Sequence, residues 1–360
     1  MAVHVDLGAR GYTVHFRSLS AVPSLLESTN LRTGRCLLIS DENVAAHYRG
    51  PLVESLQATG WTIRSIVLPP GEETKSASSL HAIYDEVLEW GIDRQTPVLA
   101  LGGGVIGDLA GFAAATLLRG LPLVQLPTSL LAQVDASVGG KTAINHPTGK
   151  NLIGAFYQPQ FVCADPETLD TLPMEEYTSG MAEVVKHALI KDPNLFDHLD
   201  EHLVAVMAYK DREIISSVIE QAVRVKAEVV SADEREEGER AILNFGHTFA
   251  HALERVAGYG AFSHGEAVAL GMRAGLYLSH QRHPDRLDRD RIDHVINAVP
   301  IQGDPSDVSF SALYEAMSAD KKNREGKIRF VLLKCLGQAY VTSEVSKSAA
   351  RQAWAFACSG

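Results

Sequence analysis

The sequence predicts an α/β protein whose first half forms a parallel β-sheet and whose second half is mainly helical. In the first half, short apolar runs alternate with segments of helical periodicity, a pattern that is typical of βαβ units. From about residue 175, apolar residues recur at three- and four-residue spacing and strand-like runs are few. The segment between the two halves contains three prolines, Pro159, Pro166 and Pro173. We therefore predict one domain over residues 1–172 and a second over residues 173–360.

The predicted elements follow one another along the chain. Strands are expected near residues 11–16, 35–40, 62–68, 97–101 and 122–126, because these runs are apolar or alternate with a period of two. Helices are expected near residues 43–58, 76–90 and 107–118 in the first half, and near residues 175–190, 195–207, 211–230, 241–256 and 264–281 in the second half. The second half of the chain is accordingly expected to be mostly helical.

Composition excludes several classes of protein. The chain has 360 residues with 33 Lys and Arg against 44 Asp and Glu, and its net charge of −11 argues against nucleic acid as a partner. Four widely spaced cysteines without a C-x-x-C pair argue against a disulfide framework or a thiolate zinc site. The N-terminus lacks a secretory pattern and no apolar stretch reaches about 18 residues, so we expect a cytoplasmic protein without membrane segments.

A glycine-rich segment follows the predicted strand at 97–101. Gly102, Gly104 and Gly107 have the G-x-G-x-x-G spacing, and a helical pattern comes directly after them. Glycines let main-chain N–H groups approach a phosphate closely, and the start of a helix favours its negative charge. No acidic residue lies about 20 positions further on, where an ordinary dinucleotide site would hold the ribose. The segment therefore predicts either a phosphate site or only a tight strand-to-helix turn.

Residues 127–151 concentrate polar side chains in what we interpret as a long loop. Long polar loops inside compact domains are often functional. Lys141 follows two glycines, which could expose its ammonium to a phosphate or a carboxylate, although a solvated loop lysine would have the same pattern. The candidate residues in this segment are Thr128, Ser129, Asp135, Lys141, Lys150 and Asn151.

Histidines in the helical half suggest a metal. His247 and His251 are four residues apart and project from one helix face, and a second helical segment begins with His264. A third carries Glu183, Lys186 and His187. Two imidazoles and one carboxylate suit Zn²⁺ and leave a position open to substrate. Spacing alone does not decide which three residues are the ligands, since Glu183 and His187 are also four apart and His251 could bind metal or move protons. Each histidine taken singly is more often structural.

Missing residues argue against two zinc chemistries. The triplet from His264 to Glu266 matches the H-x-E of zinc deaminases, but no P-C-x-x-C follows it. The pair His247 and His251 has the spacing of H-E-x-x-H, yet Thr248 stands where the general base of a metalloprotease would be. Polar and basic residues near these motifs could bind an anionic substrate, although each alone would be an ordinary solvated side chain: Arg119, Lys226, Arg240, Asn244, Lys321 and Lys322.

Taken together, the motifs resemble the 3-dehydroquinate synthase family. They occur in that family's order over nearly the whole chain: LGGGVIGDLAGFAAAT, RG at 119–120, PTSLLAQVDASVGGK, GKNLIGAF, GMAEVVKH, LNFGHTFAHALE and HGEAVALG. The resemblance implies an N-terminal α/β, Rossmann-like NAD-binding domain, an all-α C-terminal metal-binding domain and a homodimer. Three positions differ from the family's usual motifs: Ser129 replaces threonine, Ala136 replaces serine, and His187 stands where tyrosine is frequent.

The resemblance also implies roles for individual residues. It assigns a divalent metal, Zn²⁺ or Co²⁺, to Glu183, His247 and His264. It places NAD among Asp41, Glu72, Lys75, Gly103, Gly104, Asp108, Thr128, Ser129, Asp135, Lys141, Lys150 and Thr171. It places the substrate against Arg119, Lys141, Asn151, Lys186, Lys226, Arg240, Asn244 and His251, with Lys321 or Lys322 closing on it.

The implied reaction is a carbocycle-forming lyase reaction. In this family, 3-deoxy-arabino-heptulosonate 7-phosphate becomes 3-dehydroquinate and phosphate through transient oxidation by NAD, phosphate elimination, re-reduction, ring opening and aldol closure. Related cyclases make inosose or valiolone skeletons, but the intact segment from Gly139 to Lys141 and Asn151 are closer to the dehydroquinate branch. Two other hypotheses remain, a metal-dependent NAD polyol dehydrogenase and a non-catalytic nucleotide-binding member.

Overall fold

The computed structural model describes residues 1–258, 260–319 and 327–359. Lys321 and Lys322, the predicted substrate lysines, lie outside these ranges. The chain divides into two compact units, of which the first comprises Met1–Pro173 with Lys226–Glu234 and the second Met174–Val225 with Arg235–Gly360. Among the described residues, every helix is too short or too polar to traverse a lipid bilayer.

A seven-stranded sheet forms the centre of the first unit. In chain order, the strands of this half are β1 (Ala2–Val5), β2 (Tyr12–Phe16), β3 (Arg35–Asp41), β4 (Thr62–Leu68), β5 (Val98–Gly102), β6 (Leu123–Pro127), β7 (Lys141–His146), β8 (Gly149–Phe156) and β9 (Phe161–Ala164). The spatial order is β1-β2-β9-β6-β5-β3-β4, and β7 and β8 pair separately as an antiparallel hairpin. The β1–β2 pair is antiparallel, while the other neighbours in the large sheet are parallel. The predicted parallel sheet is confirmed.

Helices cover both faces of this sheet. They are α1 (Val22–Glu27), α2 (Glu42–Ala58), α3 (Ala77–Trp90) and α4 (Gly104–Thr116). Alternate residues of β3 point to opposite faces, so Leu37 and Ile39 join an apolar cluster with α3 and α4, while Cys36 and Leu38 join another with α1 and α2. Burial on both faces explains why the central strands are continuous apolar runs.

The second half of the chain is mainly helical. Its helices are α5 (Met174–Lys191), α6 (Pro193–Glu201), α7 (Leu203–Met207), α8 (Arg212–Ala232), α9 (His247–Ala257), α10 (His264–Arg282), α11 (Arg289–Asn297), α12 (Phe310–Ser318) and α13 (Lys347–Ala357). A predicted helix at 195–207 is divided into α6 and α7. The predicted helix at 241–256 is a 3-10 helix over Glu239–Asn244 followed by α9, because Gly246 between them has a positive φ of 82°.

The expectation of an all-α second domain is wrong. An antiparallel hairpin of β10 (Phe330–Cys335) and β11 (Gln338–Thr342) lies in the second unit. Its turn contains Gly337 at a positive φ of 77°. Leu332 and Leu333 are fully buried, and the Leu333 N–H donates to the Ser279 hydroxyl of α10 at 2.9 Å. The hairpin is thus part of the core of this unit, which a search for helical periodicity does not detect.

The interpretation of residues 127–151 as a loop is also wrong. The segment contains a π-helical turn over Ala132–Ala136 and then enters the β7–β8 hairpin. Thr142, Ala143 and Ile144 are buried, and β7 packs on α4 where Gly111 leaves room for the Thr142 methyl group. This packing orders a segment whose polar composition is otherwise typical of a loop.

Candidate functional site

Three side chains of the second unit converge on one point. Glu183 lies on α5, and His247 and His264 are the first residues of α9 and α10. The Nε2 atoms of the two imidazoles lie 3.4 and 3.5 Å from the same Glu183 oxygen, Oε1. All three ligand atoms are within 4.8 Å of one another, so this group could hold a metal ion. The Glu183 side chain is 1% exposed, and those of His247 and His264 are 12% and 30% exposed.

The far ring nitrogen of each histidine has a hydrogen-bond acceptor of its own. Nδ1 of His247 lies 3.2 Å from the Phe245 carbonyl oxygen, and Nδ1 of His264 lies 3.3 Å from Glu254 Oε1. Because these oxygens only accept, each Nδ1 carries the proton, and Nε2 of the neutral ring is an acceptor as well. Three acceptors that face one another are stable only with a proton or a cation among them. This donor set fits a divalent metal whose histidines have outer hydrogen-bond partners.

The pKa values of the two imidazoles shift in opposite directions. Burial lowers the pKa of His247 well below its usual value, because the attraction of Glu183 compensates only in part. Burial also opposes the charged form of His264, but hydrogen bonds with Glu183 and Glu254 outweigh it and raise the pKa of His264 to about 10. Without a metal, the proton in this cluster is therefore held by His264.

Close main-chain approaches bring the three ligands together. A side chain at Gly265 would meet the main chain of Ser179 on α5, and one at Gly271 would meet the carbonyl of Gly246 just before α9. The absence of side chains lets α10 approach both neighbouring helices. As a result, His264 comes next to Glu183, four residues after Ser179.

Other predicted residues of the second unit lie on the helices that carry these ligands or in the 3-10 helix before α9. Lys186 is buried one turn from Glu183 and donates to its carboxylate. The His251 ring packs edge-on against that of His247, with 5.3 Å between centroids. Arg240 is buried in the 3-10 helix, and the Asn244 amide donates to Glu236 Oε1 at 2.6 Å. His187 is fully buried on α5.

A second group of predicted residues lies at the carboxyl edge of the large sheet. Asp41 ends β3, Gly103 and Gly104 follow β5, and Thr128 follows β6, which are neighbouring parallel strands. The chain passes from β3 outward to β4 and then returns to β5 on the other side of β3, so the strand order reverses there. Open α/β sheets bind dinucleotides outside such a switch point.

The chemistry of this edge suits a dinucleotide. Gly103 precedes α4 without any side-chain cap, so the first N–H groups of that helix remain available to a phosphate. Ser129 lies beside Gly103, since a Cβ on that glycine would be 3.4 Å from the serine Oγ. An acid is also present at this edge, because strand β3 ends with Asp41. Its carboxylate accepts from the Val44 N–H at 3.1 Å.

Several predicted polar residues of the first unit are already paired. Lys75 and Asp108 form a shielded ion pair, and burial raises the pKa of the Asp108 carboxyl although Lys75 opposes that shift. Glu72 Oε1 accepts from the Asn145 amide at 2.7 Å. The Thr171 hydroxyl lies 2.6 Å from that of Tyr48.

The remaining predicted residues of the first unit lie on the hairpin and beyond α4. Lys141 is exposed at the start of β7, and Lys150 and Asn151 are on β8. Asn151 has a positive φ of 55°, and its N–H donates to the Asn145 side chain at 2.9 Å. Arg119 is exposed after α4, also with a positive φ, of 66°.

Sequence reasoning missed Glu254 and Asn145. Glu254 lies seven residues after His247, on the helix face that also carries His251, so the i, i+4, i+7 spacing was the available signal. Asn145 contacts both Glu72 and Asn151. These contacts depend on the β7–β8 hairpin, which could not be predicted from the polar composition of this segment.

Comparisons with known proteins cover the whole chain. Residues 65–179 match the family description 3-dehydroquinate synthase N-terminal, and residues 180–323 match 3-dehydroquinate synthase C-terminal. A 3-dehydroquinate synthase from Salinibacter ruber is 77% identical over 359 residues, which is 100% of this chain and 98% of the relative.

Two solved structures share the fold over nearly their full length. A 2-epi-5-epi-valiolone synthase from Streptomyces hygroscopicus subsp. jinggangensis 5008, with NAD⁺ and Zn²⁺ bound, has a TM-score of 0.85 and 27% identity, covering 96% of each chain. A 2-deoxy-scyllo-inosose synthase, complexed with carbaglucose-6-phosphate, NAD⁺ and Co²⁺, has a TM-score of 0.87 and 25% identity, covering 98% of this chain and 99% of that one.

Proposed function

The chain belongs to the 3-dehydroquinate synthase family, and from this membership we propose how its own residues carry out the family's reaction. The enzyme is a lyase that converts 3-deoxy-arabino-heptulosonate 7-phosphate to 3-dehydroquinate and phosphate, the second step of the shikimate pathway towards the aromatic amino acids. The observation that carries this conclusion is 77% identity to a 3-dehydroquinate synthase over the entire chain.

The cofactors are NAD and a divalent metal, Zn²⁺ or Co²⁺, as in the solved relatives. When bound, NAD would supply reversible hydride transfer, and the cation would stabilise negative charge on a substrate oxygen. We propose that Glu183, His247 and His264 hold the cation, supported by the convergence of their acceptor atoms.

We propose that the first unit binds NAD. The support is the switch point between β3 and β5, with Asp41 on one side and the uncapped start of α4 at Gly104 on the other. The residues proposed to surround NAD are Asp41, Glu72, Lys75, Gly103, Gly104, Asp108, Thr128, Ser129, Asp135, Lys141, Lys150 and Thr171.

The second unit is proposed to bind the metal, and the family resemblance implies substrate contacts for individual residues. Family motifs support phosphate binding by Lys141, Asn151 and His251, and carboxylate binding by Lys226 and Arg240. Burial of Lys226 and Arg240 strengthens charge-assisted hydrogen bonds to an anion, since water competes less there. The departing phosphate is proposed to accept the proton released during elimination. Arg119, Lys186 and Asn244 complete the proposed substrate contacts.

We also propose that the enzyme acts in the cytoplasm as a homodimer. The pathway uses small soluble metabolites, which suits a cytoplasmic location. Chromatography with light scattering on the NAD-loaded enzyme tests the dimer, and a monomer at micromolar concentration would contradict it.

One coupled assay tests the reaction together with its cofactors. Phosphate and dehydroquinate are measured from the heptulosonate phosphate, with and without added NAD and a chelator. We expect both products in equal amounts, loss of turnover with the chelator, and no lasting increase in absorbance at 340 nm. A polyol dehydrogenase would instead accumulate NADH in proportion to substrate, and a non-catalytic nucleotide-binding protein would bind NAD and release no phosphate.

A further inference from the structure

Glu254 lies behind one of the three proposed metal ligands. Its Oε1 is 3.3 Å from Nδ1 of His264, and its side chain is only 11% exposed. Nε2 of the same imidazole faces Glu183 Oε1 at 3.5 Å. The His264 ring is therefore held between two carboxylates, one at each ring nitrogen.

The two proposed histidine ligands are supported in different ways. Nδ1 of His247 contacts the main-chain carbonyl of Phe245, two residues earlier in the same segment. His264 is the first residue of α10, and its outer partner is a side chain of another helix, α9. The His264 ring is also the more exposed of the two, at 30% against 12%. The outer nitrogen of His264 thus depends on a side chain, whereas that of His247 depends on the main chain.

We propose that Glu254 is a positioning residue of the metal centre. Its carboxylate accepts the Nδ1–H of His264, which fixes the tautomer whose Nε2 lone pair points towards Glu183, and its negative charge makes that nitrogen a stronger ligand. The inference rests on the proposed metal site at Glu183, His247 and His264. Helix α9 would then supply both the ligand His247 and the hydrogen-bond partner of His264, the ligand on α10.

The first experiment measures the Zn²⁺ affinity of the purified full-length enzyme by competition with a chromogenic chelator. We expect Glu254→Ala to lower the affinity by about 10- to 100-fold, the usual effect of removing such an outer partner. Glu254→Gln is expected to lie between Glu254→Ala and the parent, because its amide oxygen still accepts from Nδ1 but carries no charge. With Co²⁺ in place of Zn²⁺, the visible absorption bands of Glu254→Ala are expected to shift, since the His264 ring is no longer fixed.

Glu315→Gln is the matched control. Glu315 is an exposed glutamate on α12 of the same unit, so its substitution removes the same charge from a different helix. We expect its Zn²⁺ affinity to equal that of the parent within a factor of two. Thermal unfolding of the metal-free proteins distinguishes positioning from a purely structural role: a structural Glu254 would lower the unfolding temperature of the apoprotein and leave the Zn²⁺ affinity unchanged, which would overturn the proposal.

His264→Ala distinguishes failure of this inference from failure of the metal site itself. If His264→Ala loses Zn²⁺ while Glu254→Ala and Glu254→Gln retain parental affinity, the site is correct and the role of Glu254 is refuted. If none of the three variants changes the affinity, the metal is held elsewhere and both proposals fail. Should Glu254→Ala not fold, the affinity of Glu254→Gln decides, and a value equal to that of Glu315→Gln refutes the proposal.

Discussion

The ammonium of Lys226 donates to both the carboxylate Oδ1 and the main-chain carbonyl of Asp135, at 2.6 Å each. Family resemblance assigns Lys226 to the substrate and Asp135 to NAD, yet the two residues form one ion pair. Lys226 is nearly inaccessible and Asp135 is partly exposed. The pair therefore also contributes to the stability of the unit that contains both residues.

Lys226→Met should destabilise the protein by about 2 kcal/mol, because it removes the Lys226 ammonium from the Asp135 carboxylate in a partly dry environment. In a cycle with Asp135→Asn, the double variant should lose less stability than the sum of the single variants. Urea unfolding measures both effects. Lys210→Met, at an exposed lysine, is the control and should change stability little. Strict additivity of the two substitutions would contradict the coupling.

The stability of a Lys75→Met variant should depend on pH, because Lys75 pairs with the partly buried carboxyl of Asp108. Burial raises the pKa of Asp108, and Lys75 limits that shift. Lys75→Met should therefore raise the pKa further and destabilise the protein by about 3 kcal/mol at neutral pH, where the carboxyl is ionised in the unfolded chain. As the pH falls towards 3.8, the usual Asp value, the carboxyl becomes protonated in both states and the deficit should shrink. Unfolding measured from pH 7 to pH 4 tests this, and a deficit that stays constant would refute it.

His264→Ala should yield a folded protein depleted of metal. Loss of one of three ligands reduces metal affinity, and turnover should fall more than about 100-fold because charge stabilisation in the site is lost. Metal analysis and the phosphate assay provide the two measurements. His294→Ala, at an exposed histidine on α11, is the control. Full activity of His264→Ala with stoichiometric zinc would remove this ligand assignment.

Gly265→Ala should weaken metal binding without touching a ligand. The added methyl group would lie closer than 3.0 Å to main-chain atoms of Ser179, so α10 must move away from α5 and carry His264 away from Glu183. We expect a loss of about 1–3 kcal/mol in stability from overpacking, together with a lower Zn²⁺ affinity. Gly50→Ala, on α2 with open space around it, should instead be neutral or slightly stabilising. Parental Zn²⁺ affinity in Gly265→Ala would show that the helices adjust elsewhere.

The start of α10 contains a capping box between Ser263 and Glu266. Burial opposes ionisation of Glu266, but main-chain hydrogen bonds from Gln302, Ser263 and Gly303 outweigh it and lower its pKa. Glu266→Ala should therefore cost about 1 kcal/mol at neutral pH. Because a lowered pKa stabilises the fold only while the group is charged, this difference should disappear as the pH falls below the usual Glu value of 4.5. A difference that grows in acid would contradict the capping role.

Periodicity predicted the parts of the fold whose burial is uniform. Strand β5 is buried along its whole length, and its apolar run was recognised without difficulty. The β7–β8 hairpin was missed because burial is confined to Thr142, Ala143 and Ile144. Strand β7 ends with the polar residues Asn145 and His146, and Pro147 and Thr148 form the turn. The β10–β11 hairpin was missed because it lies among helices, and its short apolar run at Phe330–Leu333 fits either kind of element.

The metal cluster shows a different limit of sequence reasoning. Spacing placed His247 and His251 on one helix face, but it carried no information on which helices approach each other. That choice depends on glycine contacts such as Gly265 with Ser179, which exist only in the folded protein. Family resemblance named Glu183, His247 and His264, and the same three residues come together in the structure.

One stripe of α9 carries His247, His251 and Glu254. Each residue of an α-helix is rotated by about 100° about the helix axis relative to the one before it. Inserting a single residue after Thr248 would therefore leave His247 in place and rotate both His251 and Glu254 away from its face of the helix. The length of this helix between residues 247 and 254 is thus as constrained as the identity of its side chains. A homologous sequence with an insertion or deletion at this point would be expected to bind the metal more weakly, even if every histidine were retained.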